Sequence, residues 1–319
     1  SPYIVDLSRT MSYLGKEIGP VSLYNEPNLN DGTEYSLRFV GLDPAGNVSD
    51  TVIIKNILYD VTPPLLSISS PESDIYTAKS EMLFDVNENI YNFEITWIGK
   101  SLTNENDEKI YSHSDVLLAG SYNSDDLFNP KLLDATTYKI SINGFDRANN
   151  KGLESSISKI KVDLTPPEFS NLLPESGSFI NLASIGWSLS ENIDSGTVYF
   201  KRNTSDARLE AALDGEELNA GRKEPAPLSN YVALRDGEVY TISIIGKDFA
   251  SNVSKEISVS NITYDTSPPK ISIISPEQGS FVNSNEISYT VNEPLTDAEM
   301  IWEGDGAESL SFKLRNDDI

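Results

Sequence analysis

The sequence predicts an all-β chain made of tandem β-sandwiches. Three observations predict it. Short motifs recur at a period of 102–103 residues, apolar residues alternate with polar ones between those motifs, and no window carries a long 3.6-residue periodicity. The clearest mark of the repeat is Asp60-Val61-Thr62-Pro63-Pro64. It returns as Asp163-Leu164-Thr165-Pro166-Pro167 and as Asp265-Thr266-Ser267-Pro268-Pro269.

Four further anchors keep the same register. Asp43-Pro44-Ala45-Gly46-Asn47 matches Asp146-Arg147-Ala148-Asn149-Asn150 and Asp248-Phe249-Ala250-Ser251-Asn252. Asp31 and Tyr35 match Asp134 and Tyr138, then Asp236 and Tyr240. Pro71-Glu72 matches Pro174-Glu175 and Pro276-Glu277, and Val86-Asn87-Glu88 matches Leu189-Ser190-Glu191 and Val291-Asn292-Glu293. The period is too long for a solenoid unit and fits one sandwich of about 100 residues. It divides the chain into a C-terminal half module (1–59), two complete modules (60–162 and 163–264) and an N-terminal half module (265–319).

The strands follow from alternation. In a seven-strand sandwich the first strand is Leu65–Ser69, the second Met82–Val86 and the third Phe93–Ile98. The sixth is Tyr138–Phe145, with Tyr138, Ile140 and Ile142 on one face, and the seventh is Ser155–Val162. The fourth and fifth fall within 105–133, where the copies diverge. Residues 205–213 form the one weak helical candidate and are read as a turn or short helix. The Asp-x-x-x-Tyr spacing at the sixth strand suggests a tyrosine corner, which makes Asp31, Asp134 and Asp236 structural residues.

Composition narrows the function. Asp and Glu number 49 against 24 Lys and Arg, a net charge of −25. No cationic surface is left to neutralise nucleic-acid phosphates or anionic lipid. Cysteine is absent and His113 is the sole histidine, so thiolate chemistry is excluded and a His relay has one residue to rest on. No apolar run reaches the roughly 20 residues of a membrane helix. The start at Ser1-Pro2, without a signal-peptide pattern, reads as an internal segment.

These motifs resemble the bacterial immunoglobulin-like repeats of giant adhesins and other surface proteins. The resemblance rests on the Asp-x-Thr-Pro-Pro linkers, the Asp-x-Ala-Gly-Asn hairpins and the Asp-Gly-Thr-x-Tyr before the sixth strand, and it covers the whole chain. It departs locally: Asn149 and Ser251 replace the hairpin glycine, and Ser267 replaces the linker threonine. It implies tandem immunoglobulin-like, Greek-key sandwiches at an extracellular or cell-surface location. Such modules serve as extenders, ligand binders or enzyme accessories. Some members of the family hold calcium at their junctions.

Sandwich topology gathers acidic residues where a linker enters a module. Asp60 lies on the linker, Glu88 follows the second strand, and Asp146 and Asn150 flank the last hairpin, so these four should converge. Asp163, Glu191, Asp248 and Asn252 repeat the set. A third begins with Asp265 and Glu293, while Asp43 and Asn47 belong to an earlier one. Carboxylates ~4 Å apart repel by about 4 kcal/mol per pair at an effective dielectric of 20. A hard cation reverses that sign, and calcium takes 6–8 oxygen ligands. The competing reading is turn chemistry alone, in which the aspartates bond their own backbone.

The expected function is a non-enzymatic extender, with modules strung end to end into a rod on the order of 100 Å. Its partners are then the neighbouring modules of the same chain. The first alternative is a binding module for a host or matrix glycan or protein, acting through the divergent segments 98–136 and 201–235. The second is a filament in which the two half modules of successive copies complete one another. His113 is expected in a solvated loop, and Trp97, Trp187 and Trp302 in the core.

Overall fold

A computed structural model describes residues 28–101, 108–230, 232–306 and 308–314. The remaining residues of the half modules and of the divergent segments lie outside the described residues. The chain divides into two compact units, residues 1–165 with 249–252, and residues 166–248 with 253–319.

The first unit opens with β1 (Thr33–Phe39) and β2 (Val52–Tyr59), an antiparallel pair. Its sandwich follows: β3 (Leu66–Ser70), β4 (Tyr76–Thr77), β5 (Leu83–Val86), β6 (Ile90–Ser101), β7 (Glu108–Leu117), β8 (Gly120–Asn123), β9 (Thr136–Phe145) and β10 (Ser155–Val162). One sheet is ordered β3-β5-β8 and the other β4-β10-β9-β6-β7. The chain crosses between sheets at β3–β4, β4–β5, β5–β6, β7–β8 and β8–β9, the Greek-key, immunoglobulin-like arrangement that the period and the alternation predict.

The second unit repeats this order with β11 (Phe169–Leu173), β12 (Phe179–Ile180), β13 (Ser184–Leu189), β14 (Ser195–Arg202), β15 (Arg208–Ala212), β16 (Gly221–Pro227), β17 (Val239–Lys247) and β18 (Ile257–Tyr264). Its sheets are β11-β13-β16 and β12-β18-β17-β14-β15. Two antiparallel pairs complete it: β19 (Ile271–Ser275) with β20 (Ser288–Val291), and β21 (Glu299–Trp302) with β22 (Leu310–Lys313).

Alternation explains the core. Leu66, Phe84 and Val86 from the small sheet meet Phe93, Ile95, Trp97, Tyr138, Ile140 and Ile142 from the large one. Each side chain of this size contributes about 1.5–3 kcal/mol when removed from water. Phe84 stacks on Phe93 with ring centroids 5.2 Å apart, and Trp97 meets Tyr138 edge-on at 5.8 Å. Gly99 makes room for the same tyrosine: a Cβ there would lie 2.3 Å from the Tyr138 ring. Trp187 is likewise buried on β13, while Trp302 on β21 is only half-buried.

Two local expectations change, for residues 205–213 and for His113. Residues 205–213 contain β15 rather than a helix, because Thr197–Lys201 of β14 supplies a hydrogen-bonding edge along 208–212. As expected, the divergent segment 105–133 of the first sandwich holds two strands, the ten-residue β7, paired along β6, and β8. His113 therefore sits in a strand opposite Ile95, not in a loop, and stacks on Phe128 at 5.4 Å. Ser251 adopts the same left-handed backbone (φ 71°) as Asn149 (70°) and Gly46 (88°), so the three hairpins share one turn despite their residues. No helix among the described residues is long and apolar enough to cross a membrane.

Candidate metal centre

Three loops build the first acidic group. Asp60 directly follows β2 and Asp146 directly follows β9. Glu88 lies in the 87–89 turn between β5 and β6. Asparagines fix that turn on both sides: Leu65 N donates to Asn87 Oδ1 at 2.7 Å, and Ala119 N donates to Asn89 Oδ1 at 2.9 Å.

Within this frame one carboxylate oxygen from each of Asp60, Glu88 and Asp146 lies within 4.8 Å of the others. Their counterparts one period on are Asp163, Glu191 and Asp248. Asp146 is 4% exposed. The charge density registers on Glu88, whose carboxyl is held above the ordinary glutamate range. Burial is the first cause, followed by the neighbouring charges of Asp60, Asp146 and Asp31.

Turn chemistry is present in the same residues. Asp60 Oδ1 accepts from Thr62 N at 3.1 Å. Asp146 accepts from Asn150 N at 2.8 Å and from Asn150 Nδ2 at 2.7 Å. The Asn150 amide nitrogen also donates to the Asp60 carbonyl at 3.0 Å, and Asn252 does the same to the Asp163 carbonyl at 2.9 Å. The two asparagines thus tie hairpin to linker through their amide nitrogens.

The donor set suits a hard cation. It is all oxygen, without histidine or cysteine. Ligands at 2.3–2.6 Å from calcium stand at most about 5 Å apart across the ion, which spans the separation seen. In the third repeat Asp265 caps its own turn through Ser267 N at 3.0 Å. Glu293, the counterpart of Glu88, has a buried Oε1 that meets no donor. No hairpin carboxylate joins these two among the described residues. Asp43, in the earliest hairpin, accepts from Asn47 N at 2.8 Å and Asn47 Nδ2 at 2.7 Å.

The Asp-x-x-x-Tyr motif proves to be two devices. The corner belongs to the tyrosines: Tyr35, Tyr138 and Tyr240 each accept at Oη from the backbone N–H five residues earlier, at 2.8, 3.1 and 2.9 Å. The aspartates clamp the outgoing linker instead. Asp134 accepts from Leu164 N at 2.7 Å and Thr165 Oγ1 at 2.6 Å. Asp31 does the same with Val61 N at 2.8 Å and with the Thr62 hydroxyl. Asp236 takes Thr266 N at 2.6 Å and Ser267 Oγ at 2.8 Å. These bonds hold the Asp31, Asp134 and Asp236 carboxyls below the usual aspartate range, led by the Thr62 hydroxyl, the Thr165 hydroxyl and the Thr266 amide respectively. The signal lay in the sequence as an acid a constant 30 residues ahead of the linker, paired with a hydroxyl residue after it.

No known family profile matches the chain, and no curated protein does. Among solved structures it is similar to the FN1–FN3 domains of chicken CNTN1, at 14% identity and a TM-score of 0.35, over 74% of this chain and 78% of that one. It is similar to the fibronectin(III)-like modules of Clostridium thermocellum CbhA, at 14% identity and 0.33, over 63% and 94%. A tetra-tandem repeat in the extending region of a large adhesion protein aligns at 12% identity and 0.28, over 88% and 70%.

Proposed function

We propose that this chain is an extender segment of a bacterial cell-surface or secreted adhesin-like protein, with no enzymatic role, in which calcium ties each linker to the loops of the module it enters. The observation that carries the reading is the convergence of Asp60, Glu88 and Asp146 within 4.8 Å, one acid from the linker and two from different loops. Asp60, Glu88 and Asp146 would be direct ligands, and the sequence repeats the same three acids as Asp163, Glu191 and Asp248. Asp265 and Glu293 would begin a third site. Asn150 and Asn252 hold the hairpin to the linker carbonyl beside the ion. When bound, calcium neutralises the mutual repulsion of the acids, and the proline pair after each linker threonine or serine restricts the backbone that leaves the site.

The apolar faces of the outer strand pairs favour a second reading. Leu37 and Phe39 on β1, and Ile271 and Ile273 on β19, are exposed at positions suited to a sheet partner. Residues 265–319 of one copy would cover β1 and β2 of the next, giving a head-to-tail filament.

One experiment addresses both: thermal unfolding and light scattering of the chain in excess calcium and in chelator. With calcium at a hundred times its Kd, the ligand adds about 2.7 kcal/mol. That raises the melting temperature by roughly 10 °C for a domain of this size. Identical melting and identical flexibility in the two conditions would reject the metal. A strictly monomeric, well-folded species would reject the filament.

A further inference from the structure

We propose that Asp31 is a positioning residue for the first cation site: it clamps the linker so that the Asp60 carboxylate stands facing Glu88 and Asp146. The inference rests on the calcium reading of those three acids. It assigns to Asp31 a task that none of the ligands performs.

The geometry is a relay of four contacts. Asp31 Oδ1 accepts from Val61 N at 2.8 Å, and its Oδ2 accepts from the Thr62 hydroxyl. Both donors follow Asp60 directly in the chain. The amide of Thr62 in turn donates to Asp60 Oδ1 at 3.1 Å. On the other side, Asn150 Nδ2 holds the Asp60 carbonyl at 3.0 Å. The backbone of residues 60–62 is therefore pinned from two directions, and the Asp60 side chain is oriented by a residue that Asp31 itself fixes.

Without the clamp, Asn150 would still hold the Asp60 carbonyl and the prolines would still restrict the backbone after Thr62, but nothing would fix the Val61 and Thr62 backbone that orients the Asp60 side chain. Three acids that repel one another do not hold this arrangement unaided, because a mobile Asp60 would swing away from Glu88 and Asp146. Fixing Asp60 in advance leaves less ordering for the ion to impose, and groups that orient a ligand from behind typically govern metal affinity 10–100-fold. Asp134 with Thr165, and Asp236 with Ser267, repeat the same clamp. The repetition marks the hydroxyl, whether Thr or Ser, as the working partner.

The test is calcium titration by calorimetry on the whole chain carrying Glu191→Gln, which leaves the Asp60 group as the competent site. The parent binds calcium. Asp31→Ala weakens that binding roughly 10-fold, and Thr62→Val, which keeps every charge, weakens it by about 3-fold. Thr62→Ser restores it to within about twofold of the parent, because a serine hydroxyl makes the same bond. Hydrogen exchange without calcium confirms the cause: the Val61 amide loses protection in Asp31→Ala, and the amides of β9 keep theirs. If Asp31→Ala and Thr62→Val both bind as tightly as the parent, the positioning role is overturned while the calcium reading survives. If Asp31→Asn weakens binding as much as Asp31→Ala while Thr62→Val is silent, Asp31 acts by charge alone and the role is again overturned. If the parent itself takes up no calcium, the reading beneath the inference fails and takes it down.

Discussion

Strands β1 and β9 carry the same alternation and meet different fates. Ile140 and Ile142 on β9 are fully buried, whereas Leu37 and Phe39, one period earlier on β1, are each 54% exposed. The same holds across the neighbouring strand, where Ile160 is fully buried and Ile57 is 38% exposed. The local structure is the same in both. Each pair is antiparallel with one register shift, and each has a left-handed residue at the matching place, Asn56 (φ 61°) and Lys159 (φ 60°). What β9 and β10 have, and β1 and β2 lack among the described residues, is the facing sheet with Leu66, Phe84 and Val86. An alternating pattern fixes which face is apolar. It supplies no cover for that face, and a lone hairpin is at best marginal in water.

Truncating matched positions gives the largest expected contrast. Ile140→Ala should cost the first sandwich about 2–5 kcal/mol in denaturant unfolding, through lost burial and the cavity left behind. Leu37→Ala should change stability by less than ~0.5 kcal/mol, as at an exposed site. Equal losses would mean that β1 is covered in solution, and would join this contrast to the filament reading.

A smaller contrast lies in the corners. Tyr138→Phe removes the acceptor for Leu133 N at a part-buried site and should cost roughly 1–2 kcal/mol. Tyr35→Phe removes the equivalent bond from Asn30 N where water can replace it, so its effect should fall below about 0.5 kcal/mol in the same unfolding assay. A large loss at Tyr35 would show that the first corner is as closed as the second.

The smallest contrast is electrostatic, and its two members have opposite signs. Bonds from Asn47, chiefly through its side chain, hold the Asp43 carboxyl low. Its contribution is present above the ordinary aspartate pKa and is lost as pH falls through the depressed value. Glu88 is raised. Its protonated form favours the fold below the ordinary glutamate pKa, and that advantage is lost as pH rises through the raised value. In chelator, raising the pH from 4 to 7 should therefore lower the stability of the native chain relative to Glu88→Gln. The difference should stay below ~1 kcal/mol, since Glu88 is only partly buried and solvent screens its neighbours. Calcium should abolish or reverse it. A pH profile identical in the native chain and in Glu88→Gln would show that the three acids do not interact in solution.

The sequence by itself determined the repeat, the all-β class, the first, second, third, sixth and seventh strands of the first sandwich, and the face of Tyr138, Ile140 and Ile142 that lies in its core. These follow from patterns internal to one strand or one turn: period-two alternation, the Asp-x-Ala-Gly-Asn hairpin, and the prolines that interrupt pairing. It also placed Asp60, Glu88 and Asp146 in loops that a sandwich gathers at one pole. Tertiary structure decided what depends on a distant partner. Strand β7 forms because the edge of β6 is available, although its residues match neither other copy. Residues 208–212 become a strand for the same reason, against a weak helical pattern. The aspartate before each corner tyrosine looks structural in sequence, and only the fold shows that its partner is a linker 30 residues away. Hydrogen bonds and buried charges act over a few ångströms, so residues far apart in the chain acquire their roles only after the sheets have brought them within that range.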